Sequence, residues 1–233
     1  MRGVDYQKWV IFKELSLWMD SVKRSGPETM AVDEWLLETA SRPVLRVYDW
    51  AGDWGSLGYF GKLEAARASL PEVCWVRRWT GGGTVDHRAD WTYTLVAPQN
   101  EPLVRWRGAE SYRRIHEALV ATLVDEGRMA RLSTGTEETG AALCFENPVN
   151  HDVLDAAGAK LAGAGQRRSR QGLLHQGSVA GSCCTALSSK TRATDFAGRL
   201  ALEWQLTNFQ PEPADLARRA ASRYGRAGWT ERR

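Results

Sequence analysis

Three consecutive glycines, Gly81 to Gly83, lie between two strand-like segments and limit what this chain can fold into. The segments VCWVRR and WTYTLV, before and after them, are rich in the β-branched and aromatic residues typical of strands. A P-loop or a dinucleotide-binding glycine loop opens onto a helix, and a P-loop also needs a GK[ST] sequence that is absent here. The glycines therefore indicate a loop between strands. That loop is either a tight hairpin or a floor on which backbone N–H groups approach a ligand closely.

The neighbours of the glycines favour a binding floor. In the stretch RRWTGGGTVDH, Arg77 and Arg78 alternate along a strand, so one of them can face the loop while the other faces away. Thr80 adds a hydroxyl group and His87 adds a titratable ring. We therefore expect a cationic, glycine-lined surface.

The rest of the chain alternates helices and strands without βαβ regularity. Helical spacing of apolar residues predicts helices in ETMAVDEWLLETA and GAESYRRIHEALVATLVDEG, and RPVLRVYDW is typical of a strand. HDVLDAAGAKLAGAGQRR predicts a β-hairpin turning near Ala157 and Gly158, followed by a strand in LLHQGSVAG. ATDFAGRLALEW and PADLARRAASRYG predict two short helices. We predict one α/β domain over residues 1–233, with a mixed, mainly antiparallel sheet flanked by helices and a helical tail from about residue 184.

Composition narrows the function. A net charge of +3 is too small to indicate nucleic-acid binding by itself. The N-terminal segment resembles no signal peptide and no apolar run reaches the length of a membrane span, so we expect a cytoplasmic protein with reduced thiols. With scattered histidines and no CxxC spacing, we expect no metal site. The four cysteines are Cys74, Cys144, Cys183 and Cys184.

Four segments resemble one protein family. RRWTGGGTVDH is similar to the RR-x-[ST]-GGG-x-V-x-H loop of the lipoate-protein ligase and octanoyltransferase family, which is related to biotin-protein ligases. TMAVDEWLL, LRVYDWAGDWGSLGYFG and GAKLAGAGQRRSRQGLLHQGSV resemble its other motifs, in the same order, from about residue 28 to about residue 180. The resemblance implies the α/β catalytic domain of the biotin/lipoate protein ligase type. Departures from the usual residues occur at Thr29, Gly61, Thr84 and Gly165, and none of them removes a charged or nucleophilic group.

The resemblance also implies the site residues. Lys160 matches the family's lysine, and Cys144 in ALCFENP resembles the cysteine nucleophile of one octanoyltransferase branch. The alternative for Cys144 is an ordinary buried cysteine. We expect Tyr59 and Val85 to line an acyl tunnel. The expected substrate-binding residues are Arg77, Arg78, Thr80, Gly81, Gly82, Gly83, Thr84, His87, His175, Gly177 and Ser178.

Two chemistries share these motifs. We expect an octanoyltransferase that needs no cofactor and moves octanoate from acyl carrier protein to a lysine of a lipoyl domain, in an E2 subunit of a 2-oxoacid dehydrogenase or in the glycine cleavage H protein. The alternative is a lipoate-protein ligase that uses ATP and Mg²⁺ through lipoyl-AMP and lacks a C-terminal accessory domain. A non-catalytic paralogue ranks third. The arginine-rich tail is either a solvated helix face or a docking surface for an acidic partner.

Overall fold

The computed structural model describes residues 10–137, 139, 147–181 and 186–232. Within them, the strands are β1 (Phe12–Arg24), β2 (Val44–Trp50), β3 (Trp54–Leu57), β4 (Cys74–Arg77), β5 (Thr84–Asp86), β6 (Asp90–Pro98), β7 (Arg131–Leu132), β8 (Val153–Leu154), β9 (Lys160–Arg168), β10 (Gly172–Ala180) and β11 (Ala201–Leu206). The helices are α1 (Gly26–Thr39), α2 (Leu63–Ser69), α3 (Pro102–Arg105), α4 (Gly108–Asp125), α5 (Ala186–Leu200), α6 (Pro213–Arg219) and α7 (Ala227–Thr230), and a π-helical turn, Ala220–Tyr224, follows α6 directly.

Eight strands form a mixed sheet in the order β11-β1-β2-β6-β10-β9-β8-β7. The pairs β11–β1 and β1–β2 are parallel, whereas the other neighbours are antiparallel. A second sheet has the order β4-β3-β5, and the glycine triplet connects β4 to β5. The prediction of an α/β fold with a mainly antiparallel sheet is therefore confirmed.

Helices cover both faces of the large sheet because residues alternate between two apolar cores along each strand. On one face, Ile115 and Leu119 of α4 and Phe196 of α5 pack against the sheet. On the opposite face, Met30 and Leu36 of α1 lie against the strands. Capping fixes the start of α1, where Ser25 and Glu28 form a reciprocal capping box.

Two elements differ from the sequence expectations. The patterns above do not predict β1. Buried and exposed residues do not alternate regularly along this strand, because both faces of its middle section, Leu15 to Trp18, are buried. The helix predicted through ATDFAGRLALEW ends at Leu200, and the remaining residues enter β11, so the tail is not wholly helical. Parallel pairing with β1 overrides the local helical pattern there.

Candidate active site

The glycine loop folds where three backbone segments meet. Gly82 has a φ of +96°, which favours glycine, and a Cβ on Gly58 would lie 1.9 Å from the Gly82 carbonyl oxygen. A Cβ on Gly165 of β9 would lie 2.3 Å from the carbonyl oxygen of Gly81. In contrast, a Cβ on Gly81 would meet no atom within 4 Å. Packing therefore accounts for Gly58, Gly82 and Gly165, whereas the space above Gly81 is open.

Arg78 supports the loop from within. Its guanidinium donates to the carbonyl oxygens of Gly81 and Gly83 at 3.2 and 2.9 Å, and to the Ser56 hydroxyl at 2.6 Å. The Ser56 hydroxyl lies 2.6 Å from His87 Nε2. These hydrogen bonds from Arg78 hold the loop in shape. The Arg78 side chain also lies at the edge of the neighbouring cleft.

His87 is held rigidly at the same cleft. Its Nδ1–H donates to the Asp90 carboxylate at 2.8 Å, and its ring stacks on Trp50 with centroids 4.2 Å apart. Ser178 of β10 donates its hydroxyl to the same Asp90 carboxylate. The bonds at both ring nitrogens fix the orientation of the imidazole, which suits a positioning role.

A buried charged network anchors the loop to the sheet. Thr80 donates to Gln176 Oε1 at 2.7 Å, and Gln176 Nε2 donates to Asp33 of α1 at 2.7 Å. Asp33 forms an ion pair with Arg46 of β2 at 2.7 Å. Burial raises the pKa of Asp33, although Arg46 opposes this shift. Thr80 is thus fully buried and links the loop to β10.

A cleft lies between the glycine loop and the large sheet. Met30, Tyr48, Trp50 and Val85 give it an apolar side, as an aliphatic chain requires. Its floor is the β9 backbone at residues 163–165, and Gly177 and Ser178 of β10 line it as well. Val85, which we expect to line an acyl tunnel, lies in this lining.

Lys160 lies against this floor. Its ammonium forms an ion pair with Asp152 at 2.6 Å, and both side chains are almost fully buried. A Cβ on Gly163 would lie 2.8 Å from Lys160 Nζ, so the ammonium takes up the space that a side chain on this floor residue would need. Lys160 Nζ also lies 3.4 Å from the carbonyl oxygen of Asn147.

Tyr112 of α4 completes the lysine's surroundings. Its hydroxyl donates to Asp152 Oδ1 at 2.5 Å and accepts the backbone N–H of Ala164 at 2.9 Å. Asp152 Oδ2 also accepts the backbone N–H of Val149 at 2.8 Å. Neither Tyr112 nor Asp152 is among the expected site residues. The only sequence signal was the aspartate in NPVNHDV, a short distance before the lysine strand.

His175 lies on the opposite face of the sheet from the cleft. Strand alternation directs Gln176 and Ser178 towards the cleft, whereas His175 contacts Tyr93 at 3.1 Å and Gln166 at 3.0 Å. Burial lowers its pKa well below the usual histidine value, so the ring is neutral at neutral pH. The resemblance implied a binding role for His175, but the structure gives it neighbours in the core instead.

Arg77 also points away from the cleft. Its guanidinium donates to carbonyl oxygens of residues 58, 59 and 61 and of the C-terminal residues 229, 230 and 232. The side chain therefore fastens α7 and the residues after it to the segment that follows β3. Tyr59 likewise lies outside the cleft lining, under Arg232 and beside Trp229.

The other expected residues lie in separate parts of the chain. Thr84 begins β5, opposite Leu57, and is buried. Gly177 faces the core as well as the cleft edge, because a Cβ there would lie 2.2 Å from the Tyr93 ring. Cys144 lies outside the described residues, as do Cys183 and Cys184.

The described part of the chain lacks two kinds of feature. Residues 10–137, 139, 147–181 and 186–232 contain no group of three or more histidine, cysteine or acidic residues placed to hold a metal ion. In the same ranges, no helix is both long and apolar enough to cross a membrane.

Residues 25–193 match the family model for the lipoyl protein ligase A/B catalytic domain. The chain belongs to this family. The resemblance seen in the motifs is thereby confirmed, and so is the fold that it implies.

Two curated relatives carry the same name. Octanoyltransferase LipM of Carboxydothermus hydrogenoformans is 34% identical over 170 residues, which cover 69% of this chain and 63% of the relative. Octanoyltransferase LipM of Moorella thermoacetica is 36% identical over 169 residues, which cover 66% of this chain and 61% of the relative. The match thus spans about three-fifths of the length of these relatives.

Solved structures share the fold at low identity. Protein Ta0514, a putative lipoate protein ligase from T. acidophilum, superposes with a TM-score of 0.74 at 18% identity, covering 94% of this chain and 98% of that one. A lipoate-protein ligase A bound with ATP gives a TM-score of 0.73, with the same identity and coverage. At this identity the likeness shows the fold alone.

Proposed function

We propose that this chain is an octanoyltransferase that moves an octanoyl group from acyl carrier protein to a lysine of a lipoyl domain, through a thioester on Cys144. The observation that carries the proposal is the buried Lys160–Asp152 pair, whose ammonium lies against Gly163 in the bare backbone floor of an apolar cleft. A lysine ammonium placed there stabilises a nearby thiolate and can protonate a leaving sulfur.

Cys144 precedes Asn147 by three residues in the sequence. The carbonyl of Asn147 lies 3.4 Å from Lys160 Nζ. The names of the LipM relatives support the same reaction.

The reaction balances with Lys160 as the group that moves protons. In the first half, the Cys144 thiolate attacks the donor thioester carbon. The carrier sulfur leaves and takes a proton from the Lys160 ammonium. In the second half, the acceptor amine attacks the Cys144 thioester, an amide forms, and the amine's surplus proton returns to Lys160 as the Cys144 thiolate leaves. Asp152 and Tyr112 hold Lys160 in position throughout.

The partners follow from this chemistry. The donor is octanoyl-acyl carrier protein, and the acceptor is a lipoyl domain of an E2 subunit or the glycine cleavage H protein. A bi-partite lipoate protein ligase of the same fold, from Thermoplasma acidophilum, is described together with its E2 lipoyl domain, which supports this acceptor class. The cytoplasmic location stays a prediction from the sequence.

Intact-mass analysis tests the proposal. The purified protein is exposed to octanoyl-acyl carrier protein without ATP, and we expect a hydroxylamine-labile octanoyl adduct. Cys144→Ala should abolish the adduct, whereas Cys74→Ala, a change at an exposed free cysteine, should retain it. Absence of an adduct, together with lipoyl-domain modification that requires free lipoate and ATP, would instead establish the ligase and leave Cys144 without a role.

A further inference from the structure

Three arginine side chains converge on the outer side of the glycine loop. The Arg167 guanidinium stacks over Trp79 at 4.3 Å and the Arg223 guanidinium over the same ring at 4.6 Å. Arg232 stacks over Tyr59 at 4.2 Å, and Arg167 lies 5.4 Å from that ring. We call Arg167, Arg223 and Arg232, with the rings between them, the arginine cluster.

The arginine cluster carries more positive than negative charge. Within the described residues, the only carboxylate that forms an ion pair with these three arginines is Glu34, which pairs with Arg223. The pKa of Arg167 is lowered, mainly by desolvation, and the charges of Arg223 and Arg232 contribute to the shift. Bringing like charges together destabilises the free protein, and a bound anion would remove that destabilisation.

Arg167 has an unused donor in this cluster. Its Nη1 donates to the Trp79 carbonyl oxygen at 3.4 Å, whereas its buried Nε has no hydrogen-bond partner within the described part of the chain. A buried polar group without a partner is uncommon and calls for an explanation. The guanidinium group of an arginine binds phosphate oxygens through paired N–H groups. Here the faces of the aromatic rings hold the guanidinium planes in place.

The arginine cluster and the active-site floor share strand β9. Gly163, Gly165 and Arg167 point to the same side of β9, since residues two apart share one face of a strand. Gly165 packs against Thr80 and Gly81, and Arg167 contacts the carbonyl of the residue before them, Trp79. From Gly163 to Arg167 the strand rises about 13 Å at roughly 3.3 Å per residue. The Thr80–Gly81 backbone covers β9 at Gly165, so a ligand that reaches both Lys160 and Arg167 crosses over the glycine loop, where a Cβ on Gly81 would meet no atom within 4 Å.

We infer that the arginine cluster binds the phosphate of the acyl donor's pantetheine arm while the thioester lies at Lys160. This assignment rests on the proposed octanoyl transfer. The donor's arm carries a thioester at one end and a phosphodiester at the other. When extended, it is long enough to reach from Lys160 to Arg167. The phosphate oxygens accept from Arg167 and Arg232, and Arg223 adds positive charge beside Trp79. The cluster thereby selects phosphorylated donors over simple thioesters.

Two thioesters that differ only in the phosphate test this inference. We compare the rate of acyl-enzyme formation from octanoyl-4′-phosphopantetheine and from octanoyl-pantetheine. The wild type should prefer the phosphorylated donor by about tenfold to a hundredfold in kcat/KM, as expected for hydrogen bonds to a charged group. Arg167→Gln and Arg232→Gln should each reduce the preference, and the double variant should reduce it to less than about threefold.

The matched control is Arg170→Gln, which removes the same charge from the exposed turn after β9 and should keep the full preference. Melting temperatures show that the variants remain folded. An equal rate for the two thioesters in the wild type would overturn the inference, and so would a preference that survives in the double variant.

A binding measurement separates this inference from the proposed function. Trp79 and Trp229 lie in or beside the arginine cluster, so their fluorescence reports ligand binding without any acyl transfer. Binding of 4′-phosphopantetheine but not pantetheine supports the phosphate site even if no acyl-enzyme forms, in which case only the transfer reaction fails. Fluorescence changes with ATP but not with 4′-phosphopantetheine would overturn the donor assignment.

Discussion

Replacing Gly163 with alanine should move the Lys160 ammonium while leaving the sheet intact. The new Cβ would lie 2.5 Å from Lys160 Cε and 2.8 Å from Nζ. Ordinary contacts between such atoms are about 3.5–4.0 Å, so the end of the lysine must shift by about 1 Å. Because the colliding atoms end a flexible side chain, the lysine can rearrange without a shift of the backbone.

The magnitude follows from that displacement. A misplacement of about 1 Å in a reacting constellation costs on the order of a hundredfold in rate. This equals about 2.7 kcal/mol at 1.36 kcal/mol for each factor of ten. We expect the unfolding free energy to fall by less than about 1 kcal/mol, within the usual range for a tolerated substitution. Single-turnover acylation by octanoyl-acyl carrier protein measures the first quantity, and urea unfolding measures the second.

Two other glycines serve as comparisons. Gly228→Ala places a Cβ with no atom within 4 Å and should change neither rate nor stability. Gly165→Ala sets its Cβ 2.3 Å from a backbone oxygen and should lower stability as well as rate. If the Gly163→Ala variant is acylated at the wild-type rate and its stability is unchanged, the reasoning is refuted, because the position of the Lys160 ammonium would then not matter.

Three further changes have predictable outcomes. Tyr112→Phe removes the donor to Asp152 and the acceptor of the Ala164 N–H, so urea unfolding should show a loss of about 1–3 kcal/mol, together with slower acylation. Burial lowers the pKa of His116 to about 4 from 6.5, so the unfolded chain binds more protons and the unfolding free energy should fall as pH drops from about 6.5 towards 4. His116→Gln should make that dependence shallower between pH 6.5 and 5, and an unchanged slope would contradict the assignment. Arg77→Gln removes donors to residues 229, 230 and 232, so trypsin should cleave after Arg226 sooner than in the wild type, as mass spectrometry would show.

Much of the fold could be predicted from local patterns. The helix α4 and the strands around the glycine loop have strong periodicity, and the hairpin turn lies near Gly158, which has a φ of +87°. In β11, the local pattern indicates a helix, and only its pairing with β1 makes it a strand. That pairing joins segments almost two hundred residues apart, and no local pattern contains it.

Site residues could be predicted only in the segments around Lys160 and the glycine loop, where reactive side chains are close in the sequence. Tyr112 lies 40 residues before Asp152, and neither residue type is unusual in its own segment. Their contact exists because α4 packs on the face of the sheet opposite the cleft, so the sequence offers no spacing that would reveal it. Arg77 and Arg78 show the same limit, since these adjacent arginines at the end of β4 support different segments.

Residues on the core side of β10 limit where the residues on its cleft side can lie. His175 and Gly177 point into the core, where the ring of Tyr93 fills the space that a side chain at Gly177 would occupy. Tyr112, also on the core side, reaches the backbone of Ala164 in the floor and the carboxylate that holds Lys160. Substitutions on the core side therefore alter the position of the floor and of the lysine without touching any ligand. It follows that activity should respond to core packing behind the sheet as well as to the cleft lining. The floor is the backbone of Gly163, Ala164 and Gly165, and a single methyl group is too small to absorb a shift.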